Sequence, residues 1–301
     1  MLNKTIWLLW LQGWDSVPWL VKQVAESWEI NNPDWNIEYV TSDNIHKYVD
    51  DIDYINDKNK EIEPQAKSDI IRLSLLKNYG GVWADATMLC LQPLNVWVEE
   101  AVKPAGLWMY HGPGGEMYKN GPASWLIVSE KDSLIINKWK NACDEYWKNR
   151  IKTNDYFWLD GLFRKLFDSD REFKNKWAIV PYLNCESKGQ AHSLAYHNGM
   201  ESNDKALKKI FREKPPYALK LWWKKWQNKF PDINSPECKK SNGYYAIQMS
   251  KRKFIFKHEM VSKGSIVLRA KMFSSKIVFL LKNGVRNLLK PLKSLWQFRN
   301  N

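Results

Sequence analysis

A chain of 301 residues, 44% of them hydrophobic, has material for a sizeable core, arranged as one large domain with an appendage or as two small domains. Its net charge of +13 is uneven: residues 1–200 carry −5, residues 201–250 carry +6 and residues 251–301 carry +12, so the anionic partner this implies is met by the C-terminal third. Cys90, Cys143, Cys185 and Cys238 are far apart with no Cys-x-x-Cys pair, a spacing that suggests neither a zinc site nor a disulfide framework and points to reduced cytosolic thiols.

In chain order, Ile6–Leu11 is a continuous apolar run, the pattern of a buried parallel strand, and it ends in a turn at Gln12 and Gly13. The run is too short and too interrupted for a signal peptide or a membrane span, so a cytosolic protein is expected. Helical spacing follows from Val17 to Trp28, then a second strand over Trp35–Val40. This β-α-β order predicts a right-handed crossover, a parallel sheet and a ligand crevice at the carboxyl ends of its strands. The acidic stretch Asp43–Pro64 has neither the fixed glycine nor the terminal glutamate of a calcium loop, and is expected to be a solvated helix and loop.

The stretch Ser68–Leu89 is the centre of the sequence. Ser68 is placed to cap a helix that Asp69 favours through the dipole. Ile70, Leu73, Leu76 and Tyr79 recur at helical spacing, and Gly80 is placed to end the helix. Asp69 and Arg72, three apart, share one side of the first turn, where a surface ion pair is the plain alternative to a functional role. A strand is predicted over Val82–Leu89, with Trp83, Asp85 and Thr87 on one face and Val82, Ala84, Ala86 and Met88 in the core. An aspartate in so apolar a strand needs compensation, either from backbone N–H groups or from a ligand.

Further on, strands are predicted over Leu107–Tyr110 and Ala123–Ser129 and a helix over Asp132–Trp147. The glycines at 112–115 lack phosphate-loop spacing. The 18 tryptophans suit a sugar-handling protein, since flat sugar faces stack on aromatic rings, but core packing accounts for them equally well.

Ser68, Asp69, Arg72, Leu76, Gly80, Gly81, Trp83 and Asp85 together resemble the central block of the capsular polysaccharide synthesis proteins, relatives of glycosyltransferase family 32. In those families a Ser-Asp-x-x-Arg helix and a Gly-Gly turn precede an Asp-x-Asp strand. Here the second aspartate is Thr87. The resemblance implies a GT-A type, Rossmann-like α/β domain with a mostly parallel mixed sheet over residues 1–225. A basic, aromatic and amphipathic helical region would follow over 226–301. It also implies a retaining transferase that moves a hexose from a nucleotide sugar to a capsular or cell-surface oligosaccharide. Asp85 would bind ribose, donor sugar or a cation, Asp69 and Arg72 would orient the donor sugar, and Trp10, with Gln12 and Gly13, would meet the base. Gly81 and Thr87 would border the donor, and Lys220 would meet its diphosphate. Asp160, or Asp155, would face the acceptor. A divalent cation, Mn²⁺ or Mg²⁺, would sit at Asp85 with His192 as a further contact, held weakly because a threonine hydroxyl is a poorer ligand for a hard dication than a carboxylate.

Three other readings stand beside this one: a silent carbohydrate-binding scaffold, a toxin-like transferase with a protein acceptor, and a nucleic-acid binder. The tail favours a membrane over a nucleic acid. From Ile266 to Trp296 apolar residues recur between Arg269, Lys271, Lys276, Lys282, Arg286, Lys290 and Lys293, with no run reaching the roughly 18 uncharged residues a span requires. A segment lying on an anionic membrane surface is therefore expected, as is a peripheral place on the inner face of the cytoplasmic membrane.

Overall fold

The computed structural model describes residues 2–112, 121–185, 204–213, 215–221 and 223–252, all within one compact unit. The chain opens with β1 (Thr5–Leu9), whose five residues are all buried, as the continuous apolar run requires. Helix α1 (Trp19–Asn31) crosses over to β2 (Asn36–Val40), which pairs with β1 in parallel. The next helix, α2 (Pro64–Tyr79), is buried continuously from Asp69 to Leu76. It starts earlier than the sequence suggested. Pro64 occupies the first turn, where its missing N–H costs nothing, so Ser68 lies inside the helix and is no cap.

Strand β3 (Gly81–Asp85) pairs in parallel with the other side of β1. The strand expected to continue to Leu89 instead stops at Asp85. Ala86 and Thr87 turn the chain, and β4 (Met88–Cys90) belongs to a separate two-stranded sheet. After α3 (Val98–Val102), β5 (Leu107–His111) and β6 (Pro122–Ser129) complete the main sheet in the order β2-β1-β3-β6-β5. Its β2-β1-β3 half is parallel; β6 runs antiparallel to both β3 and β5. Helices α4 (Leu134–Lys148), α5 (Trp158–Ser169), α6 (Arg171–Trp177) and α7 (Lys205–Glu213) follow. Then β7 (Ala218–Lys220) pairs antiparallel with β4, setting Lys220 opposite Met88.

Helices α8 (Trp223–Lys229), α9 (Pro236–Lys240) and α10 (Asn242–Ser250) end the described chain. They pack with the rest of the unit: Asn31 donates to the Ser250 carbonyl at 2.8 Å, and Trp19 to that of Phe230 at 2.8 Å. The boundary expected at residue 225 falls within this packing.

Two glycines join α2 to β3. Gly81 has φ +94°, and a Cβ there would lie 2.5 Å from the Thr5 carbonyl oxygen of the neighbouring strand. Gly81→Ala is therefore expected to cost at least ~1 kcal/mol from backbone strain, with about 1–3 kcal/mol more from overpacking. A denaturation midpoint equal to that of the wild type would contradict this reading of the turn.

The acidic stretch is less solvated than its composition suggested. Ile45, Val49, Ile52 and Ile55 are buried, and Asp51 reaches the fully buried Lys140 at 2.9 Å, where Asp144 also binds at 2.6 Å. The tryptophans mostly serve the core: Trp28, Trp83, Trp108, Trp139, Trp147 and Trp226 are almost wholly enclosed. All four cysteines are buried free thiols. His192, His197, His258 and the expected membrane-binding tail lie outside the described residues.

Candidate active site

The sheet register sets the site. Leu9 of β1 lies opposite both Val40 and Asp85, so the carboxyl ends of three parallel strands come level, and Asp85 is the last residue of the middle element of the five. Ligands of such sheets bind beyond these ends. Asp85 Oδ1 accepts from the Trp83 indole at 2.9 Å and from Arg72 Nη2 at 3.2 Å, while Oδ2 accepts from Lys220 Nζ at 2.6 Å. Burial pushes the Asp85 carboxyl up, but Lys220 and Arg72 outweigh it and hold the group below its ordinary value.

Arg72 joins the cluster from α2. Its Nη2 also meets Asp69 Oδ1 at 3.1 Å, and its Nη1 donates to the Ser124 carbonyl at 2.8 Å and hydroxyl at 2.7 Å. The guanidinium stands 5.2 Å from the centre of the Trp83 ring, and Nε is buried without a hydrogen-bond partner. Asp69 and Arg72 are each 5% exposed, so the surface ion pair that their spacing allowed is not what the protein builds. Enclosed charges are costly to keep, and two enclosed and two partly open charges gathered at one sheet edge make this a candidate functional site.

Burial raises Asp69 to about 6, against the pull of Arg72. Asp160, in the first turn of α5, is raised to about 7 by burial and then by the charge of Asp69. Asp160 therefore stands within electrostatic reach of the cluster. Asp155 lies before the helix, its Oδ1 accepting from Phe157 N in a local turn. A carboxyl raised in this way favours the folded state below its unfolded pKa and loses that contribution as pH rises through the folded value. Relative to wild type, Asp160→Asn should therefore gain melting temperature as pH rises from about 4 to about 7. A difference that stays flat across that window would contradict the burial of Asp160.

The other expected residues divide. Trp10, half-buried, and Gly13, with φ +94°, follow β1 directly, where Trp10 N donates to the Val40 carbonyl of β2 at 3.0 Å and Gly13 N to the Trp10 carbonyl at 3.1 Å; Gln12 between them is exposed. Lys220 reaches Asp85 because β7 pairs with β4, and its ammonium stands 5.7 Å from the Trp125 ring centre. Thr87 is buried in the turn after β3, not on the strand that was expected to carry it beside Asp85; its carbonyl accepts from Leu221 N at 2.9 Å. Gly81 begins β3, about 13 Å from Asp85 at the usual rise per residue, and makes the turn that enters the strand. Sequence reasoning missed Ser124, Trp125 and Trp158, which lies beside Asp69. The first two sit on an ordinary apolar strand that carries no sign of a site.

The sequence pattern of the family described as capsular polysaccharide synthesis protein matches residues 1–234. The chain belongs to that family. The match takes in every described member of the charged cluster, from Asp69 to Lys220. A relative, the O-glycosyltransferase braB of Annulohypoxylon truncatum, is 24% identical over 163 residues, which are 48% of this chain and 38% of that protein. The chain thus spans well under half the length of this curated relative. Among solved structures, the PaToxG glycosyltransferase overlaps 83% of this chain and 86% of its own at 14% identity, with a TM-score of 0.39. The catalytic domain of alpha-toxin from Clostridium novyi overlaps 87% and 82% at 12% identity, with a TM-score of 0.31. The fold is an α/β one with a mixed sheet and flanking helices, and two of the four strand pairings of that sheet are antiparallel, so it is less parallel than expected.

A divalent cation at Asp85 fits this arrangement poorly. Among the described residues no three His, Cys, Asp or Glu side chains converge as a metal cluster. Asp85 has both oxygens engaged by cationic donors, Arg72 and Lys220, and a dication there would face two positive groups.

Proposed function

We propose that this chain is a nucleotide-sugar-dependent glycosyltransferase that moves a hexose, with retention, to a capsular or cell-surface oligosaccharide carried on a lipid. The observation that carries the reading is the cluster of Asp69, Arg72, Asp85 and Lys220 at the carboxyl ends of parallel strands, in a chain of this family. Transfer needs cationic groups for a departing diphosphate and carboxylates for sugar hydroxyls, and the cluster supplies both. In this scheme Trp10 stacks on the base, Arg72 and Asp69 orient the donor sugar, and Asp160 faces the acceptor. The acceptor hydroxyl oxygen bonds to the anomeric carbon on the face from which the diphosphate leaves. The carbon–oxygen bond to the diphosphate breaks, and the hydroxyl proton passes to the departing phosphate oxygen.

The basic C-terminal third, with 13 Lys and Arg against one acidic residue over 251–301, supports an anionic membrane surface as the place of action. Among the described residues no helix is long and apolar enough to cross a membrane. Thermal-shift screening against nucleotide sugars tests the donor. A ligand at 100 times its Kd adds about 2.7 kcal/mol of stability, and the stabilising sugar should then be hydrolysed or transferred. Stabilisation without turnover by any donor would instead select the binding-scaffold reading.

A further inference from the structure

We infer that the Lys220 ammonium takes the place of a divalent cation at the donor diphosphate, and that Asp85 is its anchor and not a metal ligand. The inference rests on the transferase reading above and deepens it.

Three observations lead here. Lys220 Nζ sits 2.6 Å from Asp85 Oδ2, on the more open side of the cluster, where Asp85 and Lys220 keep 22% and 19% of their side-chain surface exposed against 7% and 6% for Asp69 and Arg72. The residue that replaces a second carboxylate, Thr87, is buried in the turn that ends β3, and its carbonyl holds Leu221 N at 2.9 Å, next to Lys220 itself. The position that is lost as a ligand thus fastens the strand that delivers the lysine. Finally, the ammonium has three N–H donors, with one engaged by Asp85 and the Trp125 ring 5.7 Å away, so it can hold its anchor and still donate to phosphate oxygens. Arg72 stands on the other oxygen of Asp85. A diphosphate entering the crevice would meet one anchored ammonium, with the buried Arg72 behind its anchor, and no vacant carboxylate pair.

The full chain should be titrated calorimetrically with UDP, GDP, ADP, CDP and dTDP, each in EDTA and in 1 mM Mn²⁺. For the diphosphate that binds, the Kd values in the two buffers should agree within about threefold. Lys220→Ala should weaken binding in EDTA at least tenfold while leaving the corresponding nucleoside unaffected, and Lys220→Arg should recover much of the loss. Thermal melts of both variants identify a folding defect, and the metal comparison on the wild type stands without them. Binding that improves a hundredfold with Mn²⁺, or a folded Lys220→Ala variant that binds as the wild type does, would overturn the inference while leaving the transferase reading in place. If no diphosphate binds in either buffer, the transferase reading fails and the inference falls with it.

Discussion

Asp85→Ala is expected to lower turnover by a factor on the order of 10² to 10³, with little change in the fold. The asymmetry follows from the exposure of each partner. Asp85 and Lys220 are partly open to solvent, so water can take over the ammonium once the carboxylate is gone. Arg72 keeps Asp69 and both Ser124 contacts and stays in place. What disappears is the fixed position of the lysine and the carboxylate at the crevice. Asp85→Asn should behave similarly, because an amide keeps the shape but no longer balances two cations. Steady-state rates with the donor found by thermal shift, together with a circular dichroism melt, check the claim. A folded Asp85→Ala variant within about threefold of wild-type turnover would remove Asp85 from the site.

Arg72→Ala is expected to be the most destabilising change at the site, by roughly 3–5 kcal/mol, the usual effect of removing one partner from a buried ion pair. The side chain is 5% exposed and binds two carboxylates, so its loss leaves Asp69 buried beside Asp85 with no guanidinium between them. Losing the guanidinium, which pulls Asp69 down, lifts that carboxyl above its value of about 6 in the intact protein, so the deficit should shrink as pH falls towards 6, where the variant's Asp69 is already protonated. With the guanidinium enclosed, Arg72→Lys should lower both turnover and melting temperature, since an ammonium cannot span Asp69, Asp85 and Ser124 at once. Equal melting temperatures for Arg72→Ala and wild type at pH 8 would contradict the buried pair.

Much of this site could be read from residue spacing because helix and strand periods constrain which side chains meet. Three residues on α2 bring Asp69 and Arg72 together, and two residues on β3 bring the Trp83 indole to Asp85. The break after Asp85 left no such mark: Val82, Ala84, Ala86 and Met88 keep alternating as one strand would. The turn is decided instead by β4 pairing with a strand more than a hundred residues away, which no local pattern reports. The start of α2 failed differently. Ser68 and Pro64 are both start signals, and the proline, with its φ already set for a helix, marks the true one. Lys220 was expected at the diphosphate through family resemblance; that it rests on Asp85 is a fact of the two-stranded sheet.

That small sheet also bears on the order in which the cluster is assembled. Arg72 and Asp85 are 13 residues apart, whereas Lys220 and Asp85 are 135 apart. Closing loops of those lengths costs about 2 and about 4 kcal/mol of chain entropy, respectively, by the logarithmic law for flexible segments. Contacts of high sequence separation also form slowly. The buried half of the cluster is thus local and early, and the half that faces the crevice is remote and late. A chain emerging from the ribosome has its arginine and both carboxylates in hand well before residue 220 exists, and the cluster gains its second cation only when β7 closes against β4.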